Sequence, residues 1–436
     1  MEVQLKMSNR RTFFKFVIPS IIAFALSGIY AIVDGFFVGN TIGDAGLSAI
    51  NIAYPIVAVL QSVGTGIGMG GAVYYSINNA EGNIKRANQF IAASWWLLLF
   101  ASILLTFLTF FLANPILSLL GADGTILEYA ASYIKVIALG AALQIFGTGL
   151  VPFIRNYGSS FGAMIAMLGG FIANIILDYL LVWIYGQGMF GAALATIIGQ
   201  GVTFLIAVAY SIKAKRFFIR IKVKEFIRLC KSIFKVGLAP FGLALTPNIS
   251  LILINRFSAF YGGEKAIATY ACISYIICII YLILQGVGDG SQPLMSKYYG
   301  ERKNRDLANV KRMAYIFAII LALLGCAVMF FGRWHIGELF GSSEAVNAET
   351  AKIIPIFLIS VPFVAITRIS TAGFYATEKA ALSYILTFIE PILMVVFMLI
   401  LPPLFGGQVM IWWSTILARI ISALLALLLA RLNRTA

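Results

Sequence analysis

Long apolar blocks recur along the whole chain, and short polar segments separate them. Twelve blocks reach about 20 residues, the length that a helix needs to cross a hydrocarbon core of about 30 Å. We predict spans at 13–37, 46–77, 88–113, 125–152, 161–185, 188–212, 232–260, 264–296, 308–332, 350–376, 381–402 and 408–431. Spans two and eight are long and rich in glycine, which favours bending or tilt. The pattern predicts an all-α polytopic membrane protein.

The composition excludes an ordinary soluble globular protein. Of 436 residues, 61% are hydrophobic and 11% are charged, whereas roughly a quarter of the residues of a soluble domain are charged. The four cysteines show neither a disulfide framework nor a zinc spacing. Near the N-terminus, basic residues precede an apolar stretch that runs to Val38. This stretch is too long for the apolar core of a signal peptide, so we expect a retained first helix.

The basic residues are distributed unequally between the two sides of the predicted membrane region. A net charge of +15 would suit nucleic acid if the basic residues formed a patch, but they lie in alternate connections between spans. With the N-terminus inside, the cytoplasmic segments carry 25 Lys and Arg residues, and the outer loops carry three, Lys265, Arg333 and Lys352. This bias predicts that both termini are cytoplasmic. It also argues against nucleic acid as a partner.

The most basic connection lies near the middle of the chain, from Lys213 to Lys231. It is typical either of an amphipathic linker on the anionic inner leaflet or of a solvated run of charges. Both interpretations make it a boundary. We predict an N-terminal lobe at 1–212, a cytoplasmic linker at 213–231 and a C-terminal lobe at 232–436, with six spans in each lobe.

The two predicted lobes resemble each other in sequence. A constant shift of 221 residues places 13–88 on 234–309, and prolines, glycines and a basic loop then fall in register. Because both lobes begin inside and contain six spans, the repeat is parallel and predicts a pseudo-twofold axis along the membrane normal. In this alignment Asp34 falls on Asn255. One lobe therefore has a titratable group where the other has only an amide.

Polar residues inside the spans of the N-terminal lobe share helix faces. An ionisable group at mid-bilayer costs a few kcal/mol or more, so each one needs a partner or a function. Three stripes have helical spacing: Ser27, Tyr30 and Asp34 in span one, Met167, Phe171, Asn174 and Asp178 in span five, and Thr196 and Gln200 in span six. We expect these stripes to converge inside the lobe.

Two aspartates in such a site suggest ion exchange. Desolvation and mutual repulsion favour the protonated form of a buried carboxylate pair, which suits proton exchange. Carboxylate and amide oxygens also suit Na⁺, so Asp34, Asn174 and Asp178 are candidate Na⁺ ligands, and no other metal site is expected. The alternative is structural: Asp34 and Asp178 pair with Lys or Arg on neighbouring helices, or lie near the membrane interface.

The C-terminal lobe carries two further acidic residues, Asp289 in a glycine-rich stretch and Glu390 before a proline. Either one would attract cations if it lined a substrate route. The alternative for Asp289 is a helix terminus or loop near the inner face. The alternative for Glu390 is an ion pair with Arg368 or Arg419.

Three stretches have the most specific residue patterns: Pro19 through Asp34-Gly-Phe-Phe-Val-Gly39, Asn174-Ile-Ile-Leu-Asp-Tyr179 with Gly191-Ala-Ala-Leu-Ala-Thr196, and Gln292-Pro-Leu-Met-Ser-Lys-Tyr-Tyr-Gly300. Through them the chain resembles the multidrug and toxic compound extrusion (MATE) family over essentially its whole length. The resemblance implies two six-helix lobes around a central cavity that opens alternately to either side. It also implies a cation-coupling network of Asp34, Asn174, Asp178 and Thr196.

Further residues are candidates for the substrate cavity: Tyr30, Met167, Phe171, Gln200, Asn255, Asp289 and Glu390. Of these, Tyr30 matches a cavity-lining position of the family. Some relatives use an acidic residue on helix seven for coupling. Helix seven of this chain offers only asparagines, so no coupling site is expected there.

The implied function is secondary active export of drugs or toxic amphipathic cations in exchange for H⁺ or Na⁺ across a bacterial inner membrane, which confers antibiotic resistance. We expect a monomer in lipid, with no other cofactor and no catalytic residues. The alternative is a flippase for lipid-linked oligosaccharide or lipid, but its cavity is usually strongly cationic, and only four basic residues lie within the predicted spans. A major-facilitator antiporter fits less well, because the loop after span two lacks the Asp-Arg-x-Gly-Arg pattern of that class. Gly286-Val-Gly-Asp289 matches the Gly-x-Gly-Asp motif of intramembrane aspartyl proteases, but the partner Tyr-Asp and Pro-Ala-Leu motifs are absent. The sequence leaves the physiological substrate and the coupling ion open.

Overall fold

The computed structural model describes residues 2–339 and 343–433, and these residues are almost entirely helical. The helices are α1 (Glu2–Ile42), α2 (Asp44–Ala80), α3 (Ile84–Leu119), α4 (Gly124–Leu139), α5 (Ala141–Asn156), α6 (Ser160–Leu177, continued as a π-helix over Asp178–Ile184), α7 (Gly188–Lys213), α8 (Val223–Gly300), α9 (Asn304–Gly332), α10 (Ile336–Leu339), α11 (Glu344–Tyr375), α12 (Ala380–Phe405) and α13 (Val409–Leu432). No strand occurs within these two ranges. In lipid a helix satisfies all of its backbone hydrogen bonds internally, which accounts for this uniformity.

The helices account for all twelve predicted spans. Ten helices of the described chain are long and apolar enough to cross a membrane, and the bent pair α4 and α5 supplies an eleventh span. The twelfth comes from α8, whose 78 residues contain two predicted spans. Its one non-helical residue is Gly263, with φ of 63°, a conformation that glycine adopts without the clash of a Cβ. Gly263 lies between the predicted spans 232–260 and 264–296.

The predicted fourth span is bent rather than straight. The chain turns by 61° between α4 and α5, and Gly140 lies at the break with φ of −91° and ψ of 3°. A Cβ on Gly140 would lie 2.5 Å from the Cβ of Ile197 in α7. The missing side chain therefore lets α7 pack directly against the bend.

The described chain divides into two compact units. The N unit contains residues 14–245 and 296–304, and the C unit contains residues 1–13, 246–295 and 305–436, apart from the residues outside the described ranges. Inside the N unit, α2 packs against α3, α4 and α5, while α7 packs against α5 and α6. Inside the C unit, α11, α12 and α13 pack against one another. The lobe boundaries at 213–231 remain a prediction.

The predicted linker becomes helical part-way along. Residues 216–222 have no regular structure, and α8 begins at Val223. The Trp96 indole N–H of α3 donates to the carbonyl oxygen of Ile219 at 2.9 Å. This hydrogen bond holds the irregular segment against α3.

Candidate functional site

The polar faces of α1 and α6 meet inside the N unit. The rings of Tyr30 and Phe171 stack, with centroids 5.1 Å apart and planes 10° apart. One turn beyond Tyr30 on α1 and two turns beyond Phe171 on α6, the carboxyl groups of Asp34 and Asp178 lie within hydrogen-bond reach of each other. Asp178 is completely buried, and Asp34 is half-buried. The structure therefore brings together the two aspartates that helical spacing placed on separate spans.

Asp178 begins the π-helical segment of α6. Beyond it, the Tyr185 N–H donates to the carbonyl oxygen of Leu180 at 2.9 Å, five residues back instead of four. Such segments are rare and occur frequently at functional sites. Asp178 points into the protein, whereas the next residue, Tyr179, is 49% exposed.

The close contact between α6 and α7 positions the amide of this site. A Cβ on Gly170 would clash with Thr203 and lie 2.7 Å from the Gly199 carbonyl oxygen, and a Cβ on Gly199 would lie 2.9 Å from the Cβ of Asn174. Small residues at such contacts let helix backbones approach in a membrane. The pair of glycines therefore brings Asn174 against α7.

Asn174 links Asp178 to α7 through two hydrogen bonds. With its amide oriented to satisfy both groups, its nitrogen donates to Asp178 Oδ2 at 3.0 Å and its oxygen accepts from the Thr196 backbone N–H at 3.1 Å. The Thr196 hydroxyl donates to the Ala192 carbonyl oxygen at 3.0 Å. All four residues of the expected coupling network thus lie in one cluster.

The two aspartates have no cationic partner among the residues that the structure describes. In the described ranges neither carboxylate forms a salt bridge, and Oδ1 of each is buried without a hydrogen-bond partner. Buried polar atoms without a partner are rare in proteins, and each needs a physical explanation. A proton or a small cation would satisfy these oxygens. Among the same residues, no group of three His, Cys, Asp or Glu side chains forms a larger metal site.

Tyr133 of α4 was not predicted from the sequence. Its hydroxyl faces the side chain of Thr196, as does that of Tyr30. The only signal available was a hydroxyl-bearing aromatic residue inside the predicted fourth span. Of the other predicted residues, Met167 packs against the core of the N unit, and Gln200 lies beside Gly147 of α5.

In the C unit, Asp289 is held by hydrogen bonds. It is 3% exposed, and its Oδ1 accepts from Gln285 Nε2 at 2.8 Å and from the Tyr375 hydroxyl at 3.1 Å. Arg368 donates to Gln285 Oε1 at 3.2 Å. Asp289 lies in the interior of α8, so the alternative of a helix terminus or loop is wrong.

Glu390 of α12 pairs with Arg419 of α13 at 3.1 Å. The Arg419 side chain is 7% exposed and that of Glu390 is 23% exposed. Arg419 also donates to Ser360 Oγ at 3.3 Å and lies 5.0 Å from the ring centroid of Tyr281. The alternative interpretation of Glu390, an ion pair with Arg419, is therefore confirmed. Asn255 is half-buried, and its Oδ1 has no hydrogen-bond partner in the described chain.

Comparison with known proteins identifies the family. The MatE family model matches residues 19–180 and, a second time, residues 241–400. The chain belongs to the MatE family of MATE transporters. The two matches begin 222 residues apart, which agrees with the shift of 221 found in the sequence and confirms two related halves. Membership of the MatE family places the chain among membrane transporters.

Relatives cover nearly the whole chain. Multidrug export protein MepA of Staphylococcus saprophyticus is 29% identical over 428 residues, which cover 96% of this chain and 93% of that protein. MepA of Staphylococcus aureus strain NCTC 8325 / PS 47 is 27% identical over 421 residues, with the same two shares.

Solved MATE structures share the fold. A MOP superfamily transporter from Pyrococcus furiosus has a TM-score of 0.91 at 22% identity and covers 98% of this chain and 96% of its own. A multidrug resistance MATE family transporter in an outward-facing conformation has a TM-score of 0.88 at 21% identity and the same coverage. MATE structures have twelve helices in two lobes. The predicted fold class is therefore confirmed.

Proposed function

We propose that this MatE-family protein is a secondary active multidrug efflux antiporter, which exports amphipathic, often cationic compounds in exchange for H⁺ or Na⁺ by alternating access. The names of the MepA relatives, which match 96% of the chain, support the export of drugs. The adjacent carboxyl groups of Asp34 and Asp178, which form no salt bridge in the described chain, carry the proposal of ion coupling. An acidic pair inside a membrane span has a high cost, which a functional role accounts for.

The carboxylate pair suits reversible binding of one cation. Two carboxylates about 4 Å apart repel by about 4 kcal/mol at an effective dielectric constant of 20. One H⁺ or Na⁺ between Asp34 and Asp178 removes this repulsion. Asn174 and Thr196 hold Asp178 at a fixed position on α6. Binding of the ion is therefore expected to change mainly the position of α1.

Neutralisation of Asp34 is proposed to change the packing of α1. Pro19 lies inside α1, where it removes one backbone hydrogen bond and makes the helix easier to bend. A bend would move the stacked ring of Tyr30 and alter the surface that faces a substrate. One charge that crosses 100 mV yields about 2.3 kcal/mol, which supports a concentration ratio of roughly fiftyfold.

The proposed substrate surface combines flexible and aromatic side chains. Met167 and Phe171 share the α6 face with the coupling residues, and methionine surfaces adapt to ligands of different shape. Asn255, Asp289 and Glu390 in the C unit remain proposed cavity residues. Because Arg419 already neutralises Glu390, Glu390 would attract a cation only weakly while that pair is intact.

The protein is proposed to lie in the bacterial inner membrane with both termini in the cytoplasm. The support is the distribution of 25 against three basic residues between alternate connections, because cytoplasmic loops are enriched in Lys and Arg. A fluorescent protein that folds only in the cytoplasm, fused after Ala436, is expected to fluoresce. A dark fusion present at normal amounts would contradict this orientation.

Ethidium efflux from proteoliposomes tests the transport proposal. A pH gradient and a Na⁺ gradient are imposed separately on vesicles that contain the wild-type protein or the Asp34→Asn variant. The wild type is expected to move ethidium under at least one gradient, and the variant under neither. Absence of dye and drug transport under every gradient would contradict the proposal and favour the flippase alternative.

A further inference from the structure

A basic recess lies on the N unit, where the start of α3 meets the start of α8. It consists of two adjoining hollows of about 260 and 450 Å³. Their lining residues are Asn83, Lys85, Arg86, Gln89, Arg220, Ile221, Lys222, Glu225 and Arg228. Five of these side chains are cationic and one is anionic. A concave surface with this balance favours a ligand with negative charge.

The charges of the basic recess are not paired with one another. Within the described residues, no salt bridge includes any of its six charged side chains, Glu225 among them. Lys85, Arg220 and Arg228 are exposed, so they are available to a ligand. An anion in the recess would lower the mutual repulsion of these cations.

The recess continues into an apolar face of α3. Gln89 in the recess, Trp96 and Ile103 follow one another at intervals of seven residues and therefore share one helix face. Ile103 is 48% exposed, and Phe107, one turn further, is 58% exposed. Phe100 lies on the same side, with its ring 5.9 Å from that of Phe226 in α8. In a membrane-spanning helix such exposed apolar side chains contact lipid chains.

Two features place the recess at the edge of the membrane. Tryptophan is enriched at the level of lipid headgroups, and Trp96 lies between the charged recess and the apolar face. Its hydrogen bond to Ile219 holds the irregular segment 216–222 against α3 and so forms one wall of the recess. The cationic residues and the exposed apolar residues therefore follow one another along α3 in the same order as the headgroup and the acyl chains of a phospholipid.

We propose that the basic recess binds the headgroup of an anionic phospholipid of the inner leaflet, with the acyl chains along the exposed face of α3. Basic hollows at the cytoplasmic ends of membrane helices suit such headgroups. The inference rests on the orientation proposed above, in which the 213–231 segment is cytoplasmic. A free phosphate would use the cations but not the apolar face.

Native mass spectrometry of the purified full-length protein tests this site with phosphatidylglycerol, and with phosphatidylcholine as the zwitterionic comparison. The wild type is expected to bind phosphatidylglycerol preferentially. Each removed charge is expected to weaken binding about fivefold, so the variant Lys85→Gln/Arg220→Gln/Arg228→Gln is expected to bind about a hundredfold more weakly. The variant Trp96→Phe is expected to weaken the binding of phosphatidylglycerol, although it leaves every charge in place.

The matched control removes three charges that do not line the recess: Lys213→Gln/Lys224→Gln/Lys231→Gln. All three residues are exposed, and this variant is expected to bind phosphatidylglycerol within twofold of the wild type. Equal losses in both triple variants would overturn the proposal in favour of diffuse attraction. Full displacement of the lipid by millimolar inorganic phosphate would overturn it in favour of a phosphate site. Ethidium efflux, measured separately, keeps a failure of lipid binding distinct from a failure of transport.

Discussion

The carboxyl groups of Asp34 of α1 and Asp178 of α6 lie within hydrogen-bond reach of each other, although 144 positions separate them in the sequence. No salt bridge in the described chain neutralises either one. The structure therefore does not support the alternative in which each aspartate is half of an ion pair with Lys or Arg. We propose instead that the pair is an acidic site whose charge depends on the ion that it binds.

The two aspartates are expected to act as one unit. Asp34→Asn and Asp178→Asn each preserve shape and remove a charge, and each is expected to reduce gradient-driven ethidium efflux at least a hundredfold with normal expression. The double variant is expected to be no worse than either single one, because groups that act together give strongly non-additive losses. Asp44→Asn, at an exposed position at the start of α2, is the control and should retain full efflux. Near-normal efflux in Asp34→Asn would remove this residue from the mechanism.

The glycine contact between α6 and α7 is expected to be needed for stability. In Gly170→Ala the new Cβ would clash with Thr203 and approach the Gly199 carbonyl oxygen to 2.7 Å. Such overpacking costs about 1–3 kcal/mol and separates Asn174 from Thr196. Thermal unfolding in detergent measures this loss. Gly332→Ala is the control, because a Cβ there has no neighbour within 4 Å, and an equal loss in both variants would contradict the packing argument.

Much of the fold and the positions of the site residues could be predicted from the sequence. Lipid leaves the backbone no partner except itself, so an apolar block of about 20 residues has to be helical. Once the helices are given, spacing alone puts Tyr30 and Asp34 on one face, and Asn174 and Asp178 on another. The cost of buried charge then predicts that the two faces meet in the interior of the protein.

The bend at Gly140 and the π-helical turn at Asp178 could not be predicted in this way. Both depend on neighbours that are distant in sequence: Gly140 faces Ile197 of α7, and it is one of 40 glycines in the chain. The presence of Tyr133 in the site could not be predicted for the same reason. Its position against Thr196 follows from the packing of α4 on α7, for which the sequence contains no local signal.

Tyr133 is expected to tune the coupling site. Tyr133→Phe removes only the hydroxyl that faces Thr196, and a typical hydrogen bond contributes about 0.5–1.5 kcal/mol. The variant is therefore expected to change the ion concentration needed for half-maximal efflux by roughly twofold to tenfold. Tyr129→Phe, one turn earlier on α4, is the matched control and should leave this concentration unchanged. An unchanged value in Tyr133→Phe as well would show that the hydroxyl has no part in ion binding.

The pair of Glu390 and Arg419 is expected to stabilise the C unit. Glu390→Gln leaves the guanidinium of Arg419, which is 7% exposed, without its carboxylate, and removal of one partner of a buried pair costs about 3–5 kcal/mol. Because Glu390 is partly exposed, we expect the loss in the free energy of unfolding to lie near the lower end of this range. The control is Glu349→Gln, which removes an exposed pair with Lys265 at 3.9 Å. Exposed pairs contribute about 0–1 kcal/mol, so thermal unfolding should separate the two variants clearly.

A second variant decides whether Glu390 has a role beyond this pair. Glu390→Gln/Arg419→Met removes both charges, and such replacement of a buried pair is often neutral for stability. Recovery of both stability and ethidium efflux would make the pair structural and exclude Glu390 from the substrate cavity. Recovery of stability without efflux would mean that the carboxylate itself contacts the cation. Loss of stability in the double variant as large as in Glu390→Gln would contradict the argument that an uncompensated charge causes the damage.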